Sequence, residues 1–337
     1  MGNFFAKLKS YKLRRDETTS PPNTDENVSA QFKKSRRWQM MDKTFQWKMV
    51  WVLFILLTAS ALLPTQVHGQ NNTDEVFFRK EKEAQVPIIM YHLVTETSRF
   101  IGRDAIRPGE LKNDLQYLKD NGYNTVTMAD LIKFVKKGKS LPENPIVLTF
   151  DDGNASDYDV LFPLLKEYDM KAVISIIGVT TDEMTAKYAK NPSDRFHNLT
   201  WEQIAEMHKS GIVEVQSHGY DLHGKAGSGK RWRESADTYH QRLRADLQKL
   251  QSLCEEHLGE NPNTFCYPLG IISKGSQAVL EEMGFMASLS CQEGMNIIKE
   301  GDMSCLFELK RVNRPSGKSV EAILGKLHGD GDKKEKK

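Results

Sequence analysis

Short apolar runs that stop at polar residues recur along the chain from about residue 86 onward. In the clearest of them, residues 146–150 are Ile, Val, Leu, Thr and Phe, and the run ends at Asp151, Asp152 and Gly153. Such a run is typical of a strand buried on both faces, as in a parallel sheet covered by helices. Because a buried core has no use for two carboxylates, we expect them at the carboxyl end of the strand, where α/β folds carry their chemistry.

Segments with leucines at helical spacing alternate with these apolar runs. Further strands are predicted at 86–91, 124–127, 171–177, 212–216, 264–267, 285–289 and 307–312. Helices are predicted at 108–120, 129–137, 158–168, 200–210, 235–257, 275–283 and 320–327, and the polar stretch 181–198 is predicted to be a loop. Seven or so strands alternating with helices, without a G-x-G-x-x-G fingerprint, predict an α/β fold of the (β/α) barrel type rather than a dinucleotide-binding sheet.

The positive charge of the chain is confined to its first residues. Residues 1–48 contain 11 Lys and Arg against 5 Asp and Glu, whereas the whole chain has 47 against 45. The remainder is therefore slightly acidic, which removes the main support for a nucleic-acid partner. Since residues 1–48 also lack a sustained apolar period, we expect a disordered basic tail on the cytoplasmic side, or a gene start placed too early.

Residues 49–63 form an apolar stretch that follows basic residues and ends at Pro64. The stretch is shorter than the ~20 residues that span a bilayer, and it fits the core of a signal peptide, with Val67 and Gly69 where a signal peptidase favours small residues. Residues 49–69 are therefore predicted to be a signal-peptide region or an uncleaved membrane anchor, and both place the rest of the chain outside the cytoplasm, secreted or at the cell surface. The remaining predicted segments are a linker at 70–85, one folded domain at 86–328 and a charged tail at 329–337.

Polar side chains lie at or just beyond the ends of four of the predicted strands. They are His92, Asp151 with Asp152, His218 with His223, and Tyr267. In a parallel barrel the carboxyl ends of all strands reach one rim, so groups distant in sequence converge there. One Asp and two His can hold a divalent cation and leave positions open for water and substrate. Adjacent residues of a strand point in opposite directions, so one aspartate can bind the metal while the other faces the attacking water.

Each of these motifs has a simpler explanation when it is taken alone. Asp-Asp-Gly is most often a turn, and a histidine at a strand end is most often a hydrogen-bonded structural residue. His218 and His223 also lack the i, i+4 spacing of helical zinc motifs. Three groups of metal-ligating type on separate strand ends nevertheless favour a metal site over three coincidences.

The motifs resemble those of the polysaccharide deacetylases, the NodB-like or family 4 carbohydrate esterases. Thr149-Phe150-Asp151-Asp152-Gly153 matches the first motif, and Ser217-His218 through His223 looks like the second. Residues 265–270 are similar to a reduced third motif, which lacks its usual arginine. The resemblance spans about residues 86–328 and implies a distorted, seven-stranded (β/α) barrel of the NodB type.

The resemblance also implies roles for individual residues. Asp151 would be the general base, and Arg311 would orient it. The implied metal ligands are Asp152, His218 and His223. Tyr267 would supply a backbone N–H to the oxyanion.

Two features distinguish the chain within this family. Four residues rather than the usual three separate His218 from His223, and the stretch Val86-Pro87 through Tyr91-His92 lies upstream. Both resemble the branch that contains bacterial poly-β-1,6-N-acetylglucosamine deacetylases, which implies His92 as the general acid. His328 superficially fits the usual fifth motif and is the alternative acid, although its surroundings predict an amphipathic helix.

The resemblance implies a metal-dependent hydrolase that removes N-acetyl groups from a cell-surface or extracellular polysaccharide containing N-acetylhexosamine. The histidines favour zinc, with cobalt or nickel possible. The alternatives are a non-catalytic glycan-binding wall protein on a degenerate deacetylase fold, an O-acetyl esterase of the xylan type, and a metal phosphoesterase. The phosphoesterase would need more cationic groups near the metal, and only the loop at 225–233 offers them.

The four cysteines lie in the last quarter of the chain. Cys254, Cys266, Cys291 and Cys305 lack the C-x-x-C spacing of zinc or redox sites. They predict either one disulfide, which an exported domain allows, or free thiols.

Overall fold

The computed structural model describes residues 82–191 and 197–334. The predicted basic tail, the membrane-targeting stretch and nearly all of the linker lie outside these residues, so those three predictions stay predictions. Among the described residues, no helix is both long and apolar enough to cross a membrane. The described residues belong to one compact unit, Phe78–Lys337.

A parallel sheet of short strands forms the centre of the domain. In chain order the strands are β1 (Glu83–Val86), β2 (Ile88–Tyr91), β3 (Leu93–Val94), β4 (Ala105–Ile106), β5 (Asn124–Thr125), β6 (Pro145–Asp152), β7 (Ala172–Ile176), β8 (Val213–Ser217), β9 (Thr264–Cys266), β10 (Ala287–Leu289), β11 (Asn296–Lys299) and β12 (Val312–Asn313). The parallel sheet has the spatial order β10, β9, β8, β7, β6, β2, β12, and β5 also pairs with β6. β1 pairs antiparallel with β11, and β3 pairs parallel with β4.

Helices connect the strands of this sheet. They are α1 (Pro108–Asp120), α2 (Met128–Lys137), α3 (Phe162–Tyr168), α4 (Gly178–Lys190), α5 (Trp201–Lys209), α6 (Ala236–Leu258), α7 (Ser276–Glu282) and α8 (Val320–Lys334). Thr127, Thr200 and Ser235 accept backbone N–H bonds at the starts of α2, α5 and α6. Such caps satisfy donors that have no partner inside the helix, so the polar residues before these helices define where they begin.

β6 is buried on both faces, as the sequence predicts. Ile146, Leu148 and Phe150 belong to the larger apolar cluster, with side chains of α1, α3 and α5. Val147 belongs to a second cluster, with side chains of α2. Alternate residues of one strand therefore contact different layers, and the (β/α) barrel prediction is confirmed.

The two edges of the parallel sheet approach each other through the segment before β12. The N–H of Leu309 donates to the carbonyl of Ser288 at 2.8 Å, and the N–H of Ser290 donates to the carbonyl of Leu309 at 2.9 Å. The chain entering β12 thus runs beside β10. This contact brings Arg311, which follows at once, against the inner strands.

Helix α4 occupies a segment that the sequence predicts to be a loop, and that prediction was wrong. Thr181 and Met184 form its buried side together with Gly178, and the hydroxyls of Thr180 and Thr181 donate to the carbonyl of Ile177. A helix whose buried side is made of threonine and glycine has no apolar period for sequence analysis to detect. Tertiary packing decides its conformation.

Several boundaries also differ from the predicted ones. The strand predicted at 307–312 is reduced to β12 and an isolated bridge at Leu309, because the left-handed φ angle of 56° at Glu308 interrupts the extended backbone. β1 and β11, which pair only with each other, were not predicted, and β1 begins three residues before the predicted domain start at 86. The last helix continues past the predicted domain end at 328 to Lys334.

Candidate active site

The carboxyl ends of β2, β6 and β8 bring the predicted site residues to one rim. His92 follows β2, Asp151 and Asp152 end β6, and His218 follows β8. A cavity of about 620 Å³ opens at this rim. Its lining includes His92, Asp151, Asp152, His218, His223 and Tyr267.

Asp152, His218 and His223 form a group that could hold a metal ion. The Oδ1 atom of Asp152 lies 3.5 Å from Nε2 of His218 and 3.2 Å from Nε2 of His223. Among the described residues this buried oxygen has no hydrogen-bond partner of adequate geometry. One carboxylate and two imidazoles form a ligand set that suits zinc and related divalent ions.

The tautomer of His218 explains why a cation fits between these groups. Its Nδ1 atom lies 2.9 Å from the carbonyl oxygen of Cys266. A carbonyl oxygen can only accept, so Nδ1 carries the proton. Burial lowers the pKa of His218 against the opposing charges of the two aspartates, so the ring is neutral and Nε2 turns a lone pair toward Asp152. A lone pair and a carboxylate repel each other, whereas a divalent cation between them binds both.

Asp152 reaches this position through an unusual backbone conformation. Its φ angle is 77°, a left-handed value that is costly for a residue other than glycine and that often marks a functional position. The side-chain amide of Asn198 donates to its carbonyl oxygen at 3.2 Å. Burial favours the neutral acid, but the contact with His223 outweighs burial and lowers the pKa of Asp152. The carboxylate is therefore ionised.

Asp151 has different partners from its neighbour. Both of its oxygens accept hydrogen bonds from the guanidinium of Arg311, each at 2.8 Å. Arg311 is fully buried, and its Nε donates to the carbonyl of Ser290 at 2.8 Å. Burial alone would raise the pKa of Asp151, but the charge of Arg311 holds it far below its usual range. The contact that the family resemblance implies between Arg311 and this aspartate is present.

Asp151, His218 and Cys266 form a second group of possible ligands that overlaps the first. Arg311 already compensates the charge of Asp151, which leaves little attraction for a cation. Burial raises the pKa of the Cys266 thiol well above its usual value, so the sulfur is protonated, and it donates to Oδ2 of Asp151 at 3.4 Å. The group centred on Asp152 is therefore the better cation site.

His92 lies on the cavity wall close to Asp151. Its Nε2 atom is 4.0 Å from Oδ2 of Asp151, and its side chain is 20% exposed. His328, the alternative acid, lies on α8 with its Nε2 atom 3.3 Å from the hydroxyl of Tyr123. It is not among the described residues that line the cavity. The geometry thus favours His92 over His328 for a role in this site.

The structure contradicts the role implied for the backbone of Tyr267. Its N–H already donates to the carbonyl of Leu289 at 3.0 Å, in continuation of the pairing between β9 and β10. Its hydroxyl is engaged with Ser276 at 3.0 Å, away from the solvent. An N–H used in a strand pair cannot also bind an oxyanion, so Tyr267 supports the cavity wall instead.

Sequence reasoning missed other residues at the cavity. Leu269 lines it with a φ angle of 57° and a side chain that is 53% exposed. Cys291 lines it too, with Sγ 3.9 Å from Nη2 of Arg311. Leu269 falls within the reduced third motif at 265–270 but carries no role there, and no motif includes Cys291, whose only signal is that it follows a predicted strand by two positions. All four cysteines are free thiols, so no disulfide forms in this structure.

Comparison with known families agrees with this site. Residues 138–288 match the family model described as polysaccharide deacetylase. This part of the chain is therefore similar to a polysaccharide deacetylase domain. The matched range includes both aspartates and the two proposed metal-binding histidines, whereas His92 and Arg311 lie outside it.

Curated relatives of this domain include proteins named poly-beta-1,6-N-acetyl-D-glucosamine N-deacetylase. One from Escherichia coli O157:H7 is 27% identical over 296 residues, which cover 78% of this chain and 43% of that protein. One from Staphylococcus epidermidis is 25% identical over 267 residues, covering 74% of this chain and 87% of that protein. The chain therefore spans less than half the length of the Escherichia coli relatives.

Solved structures with this fold include a de-N-acetylase from Aggregatibacter actinomycetemcomitans. It is 26% identical with a TM-score of 0.61, and the match covers 72% of this chain and 99% of that one. The structure of IcaB from Ammonifex degensii is also 26% identical, with a TM-score of 0.56 over 68% of this chain and 92% of that one. Nearly all of the de-N-acetylase chain is matched, so that chain was solved with little beyond the matched domain.

Proposed function

We propose that the protein is a metal-dependent hydrolase that removes N-acetyl groups from a polysaccharide of the poly-β-1,6-N-acetylglucosamine type. One observation carries the proposal. The unprotonated nitrogen of His218 and the buried, unpartnered oxygen of Asp152 face each other, directly beside an aspartate that Arg311 keeps ionised. The proposed metal ligands and the ionised carboxylate held by Arg311 together suit hydrolysis of an amide by activated water.

The metal ligands, the general base and the residue that orients it have separate roles in the proposed reaction. Asp152, His218 and His223 would hold the ion, which when bound polarises the acetamide carbonyl and acidifies a water molecule. Asp151 accepts the proton of the attacking water. Arg311 orients that carboxylate through two hydrogen bonds and keeps it ionised.

The remaining proton and the oxyanion need further groups. His92, whose Nε2 is 4.0 Å from Asp151, donates a proton to the leaving amine. The oxyanion donor moves from Tyr267 to Leu269, because Pro268 has no N–H and Leu269 is the next residue that has one. The position of Leu269 on the cavity wall supports this assignment.

The substrate class is inferred from the relatives. Proteins named for poly-beta-1,6-N-acetyl-D-glucosamine N-deacetylation match most of this chain, and a solved de-N-acetylase shares its fold. Such a polymer lies outside the cytoplasm, where the predicted signal or anchor at 49–69 would deliver the domain. We therefore place the enzyme at the cell surface or in the extracellular space.

The test is acetate release by the zinc-supplemented protein from a panel of polymers. The panel contains poly-β-1,6-N-acetylglucosamine, chitin oligomers, peptidoglycan and acetylated xylan, with an aryl phosphate as a second reaction class. We expect acetate from the first polymer and a free amine in equal amount. Release from xylan alone would identify an O-acetyl esterase, phosphate release a phosphoesterase, and binding without any release a glycan-binding protein. Each of those three results contradicts the proposal.

A further inference from the structure

The loop 224–233 carries a concentrated positive charge and an exposed tryptophan. It contains Lys225, Lys230, Arg231 and Arg233 and no acidic residue. All four cations are exposed, and Trp232 is 83% exposed. Tryptophan and arginine are enriched at interaction surfaces, so an exposed tryptophan between two arginines points to such a surface.

The stem of this loop is fixed rather than free. Ser228 is fully buried, and its hydroxyl donates to the carbonyl of Ile271 at 2.9 Å. The N–H of Lys230 donates to the hydroxyl of Ser273 at 2.9 Å. Because the stem is already ordered, a partner that binds the tip does not have to order the loop.

The acid that follows the loop is shared between the loop and an arginine of α6. Glu234, directly after the loop, is engaged by Arg242 of α6 at 2.8 and 3.0 Å. The guanidinium of Arg233 instead lies 4.0 Å above the ring of Trp232, and Arg233 itself has a φ angle of 60°. Glu234 also accepts the N–H of Arg231 at 2.8 Å, so the four cations of the loop outnumber the one acid beside them, which Arg242 already engages.

The patch lies next to the mouth of the catalytic cavity. The loop begins directly after His223, and Gly227 packs against the carbonyl of Pro268 and the side chain of Ile271. Leu269, between these two residues, is exposed and lines the cavity. The stem of the loop therefore lies beside the part of the cavity wall that Leu269 forms.

We propose that the loop 224–233 is a docking surface for an anionic lipid bilayer, with Trp232 seated at the level of the headgroups. Tryptophan favours that interface because its ring is apolar and its N–H is polar, and exposed Lys and Arg are attracted to acidic lipids. The glycan does not account for the cations. The substrate class proposed above is uncharged, and its deacetylated product is cationic.

The test uses residues 78–337, which contain two tryptophans, Trp201 and Trp232. Trp201 is 3% exposed, so a spectral change on adding vesicles reports Trp232. Vesicles of phosphatidylglycerol and phosphatidylcholine in about equal amounts should bind the domain and shift its fluorescence to the blue, and binding should weaken as salt is added. Vesicles of phosphatidylcholine alone should bind far less.

Two variants separate charge from the aromatic ring. Replacing Lys230, Arg231 and Arg233 together by glutamine should weaken vesicle binding by about 100-fold, since each cation near an acidic surface contributes roughly fivefold. Trp232→Ala should weaken binding and abolish the blue shift. The matched control replaces three exposed lysines of α2, which ends at the opposite end of the barrel, by glutamine and should bind like wild type. Those lysines are Lys133, Lys136 and Lys137.

Several results would overturn the docking proposal. If the α2 control lost as much vesicle binding as the loop variant, the loss would be explained by the lower net charge of the protein and not by the loop. Binding to a soluble polyanion that is as tight as to vesicles and unaffected by Trp232→Ala would indicate a charged polymer instead of a bilayer. A fluorescence shift with an uncharged N-acetylated oligosaccharide and none with vesicles would assign Trp232 to the glycan. Vesicle binding is measured without turnover. The docking proposal can therefore be tested even if the proposed catalytic function fails.

Discussion

At the scale of single residues, the site depends on two adjacent aspartates with different partners. Asp151 is held by Arg311 through two hydrogen bonds, whereas Asp152 faces His218 and His223. The left-handed backbone of Asp152 separates the two carboxylates. One strand end can therefore supply both a base and a metal ligand.

Asp151→Asn should separate chemistry from metal binding. The amide cannot accept the proton of the attacking water, so the rate of acetate release should fall by about 100- to 10,000-fold. Metal content, measured on the purified variant by elemental analysis, should stay near one ion per chain because Asp152 and the histidines are untouched. Loss of the metal would mean that the roles of the two aspartates are exchanged.

Removing either proposed histidine ligand should empty the site. His218→Ala and His223→Ala should each weaken zinc binding by more than the roughly 10- to 100-fold that removal of a supporting group costs. Titration with a competing chelator measures the affinity. His208, a partly exposed histidine of α5 near Glu260, supplies the control, and His208→Ala should bind zinc like wild type. Unchanged affinity in both site variants would remove the two histidines from the ligand set.

The two candidate general acids, His92 and His328, should respond differently to replacement by alanine. His92→Ala should lower the rate of acetate release by about 100-fold or more without loss of metal, because the leaving amine then lacks its proton donor. His328→Ala should keep the wild-type rate. His328 lies on α8, where it contacts the hydroxyl of Tyr123, and it does not line the cavity among the described residues. Steady-state rates of both variants decide between them. A normal rate for His92→Ala together with a slow His328→Ala would reverse the assignment.

At the scale of elements, α1 is tied to the loop that completes the rim of the cavity. Glu110 in its first turn accepts hydrogen bonds from the N–H of Arg107 at 3.0 Å, the N–H of Gly317 at 2.8 Å and the hydroxyl of Ser316 at 2.8 Å. Slight burial would raise the pKa of Glu110, but these bonds outweigh it and lower the pKa to about 2. The folded state therefore favours the ionised form.

This pairing predicts a pH dependence of stability. A carboxyl whose pKa is depressed by folding contributes stability above its unfolded value of about 4.5 and loses it as the pH falls toward about 2. The free energy of unfolding should thus decrease over this interval. Glu110→Gln, which cannot ionise, should show a smaller decrease in urea titrations across the same pH values. An identical pH profile for both proteins would show that the bonds to Ser316 and Gly317 do not persist in solution.

Elements with a strong apolar signal could be predicted from sequence, and elements held by polar contacts could not. β6 is an uninterrupted apolar run, so its burial and the position of the aspartates at its end followed from the pattern. Helix α4 escaped prediction because its buried side uses Thr181 and a glycine. β11 escaped because only its pairing with β1 makes it a strand.

The same limit explains which parts of the site were predicted. Side chains that bind metal can be recognised by residue type, and the carboxyl ends of parallel strands meet at one rim. Asp152, His218 and His223 could therefore be grouped from the sequence. Backbone groups carry no such signature. Whether the N–H of Tyr267 is free depends on its register with Leu289, which no residue type encodes. The oxyanion donor that the family resemblance implies therefore does not fit this register, and Leu269 is proposed in its place.

At the scale of the whole molecule, the domain joins a catalytic rim to a charged surface beside it. The cavity and the loop 224–233 share the segment around Leu269. Docking of the loop on a membrane would therefore hold the mouth of the cavity close to that membrane. The predicted membrane-targeting segment at 49–69 would deliver the domain to the same compartment. Both features fit an enzyme that works on a polymer close to the membrane.

The central claim is that a divalent ion bound by Asp152, His218 and His223 is required for N-deacetylation. The most direct test strips the protein with a chelator, removes the chelator, and measures acetate release from poly-β-1,6-N-acetylglucosamine before and after zinc, cobalt or nickel is restored. We expect no release from the stripped protein, recovery with added metal, and no recovery in Asp152→Ala. Full activity of the stripped protein, or full recovery in Asp152→Ala, would contradict the account.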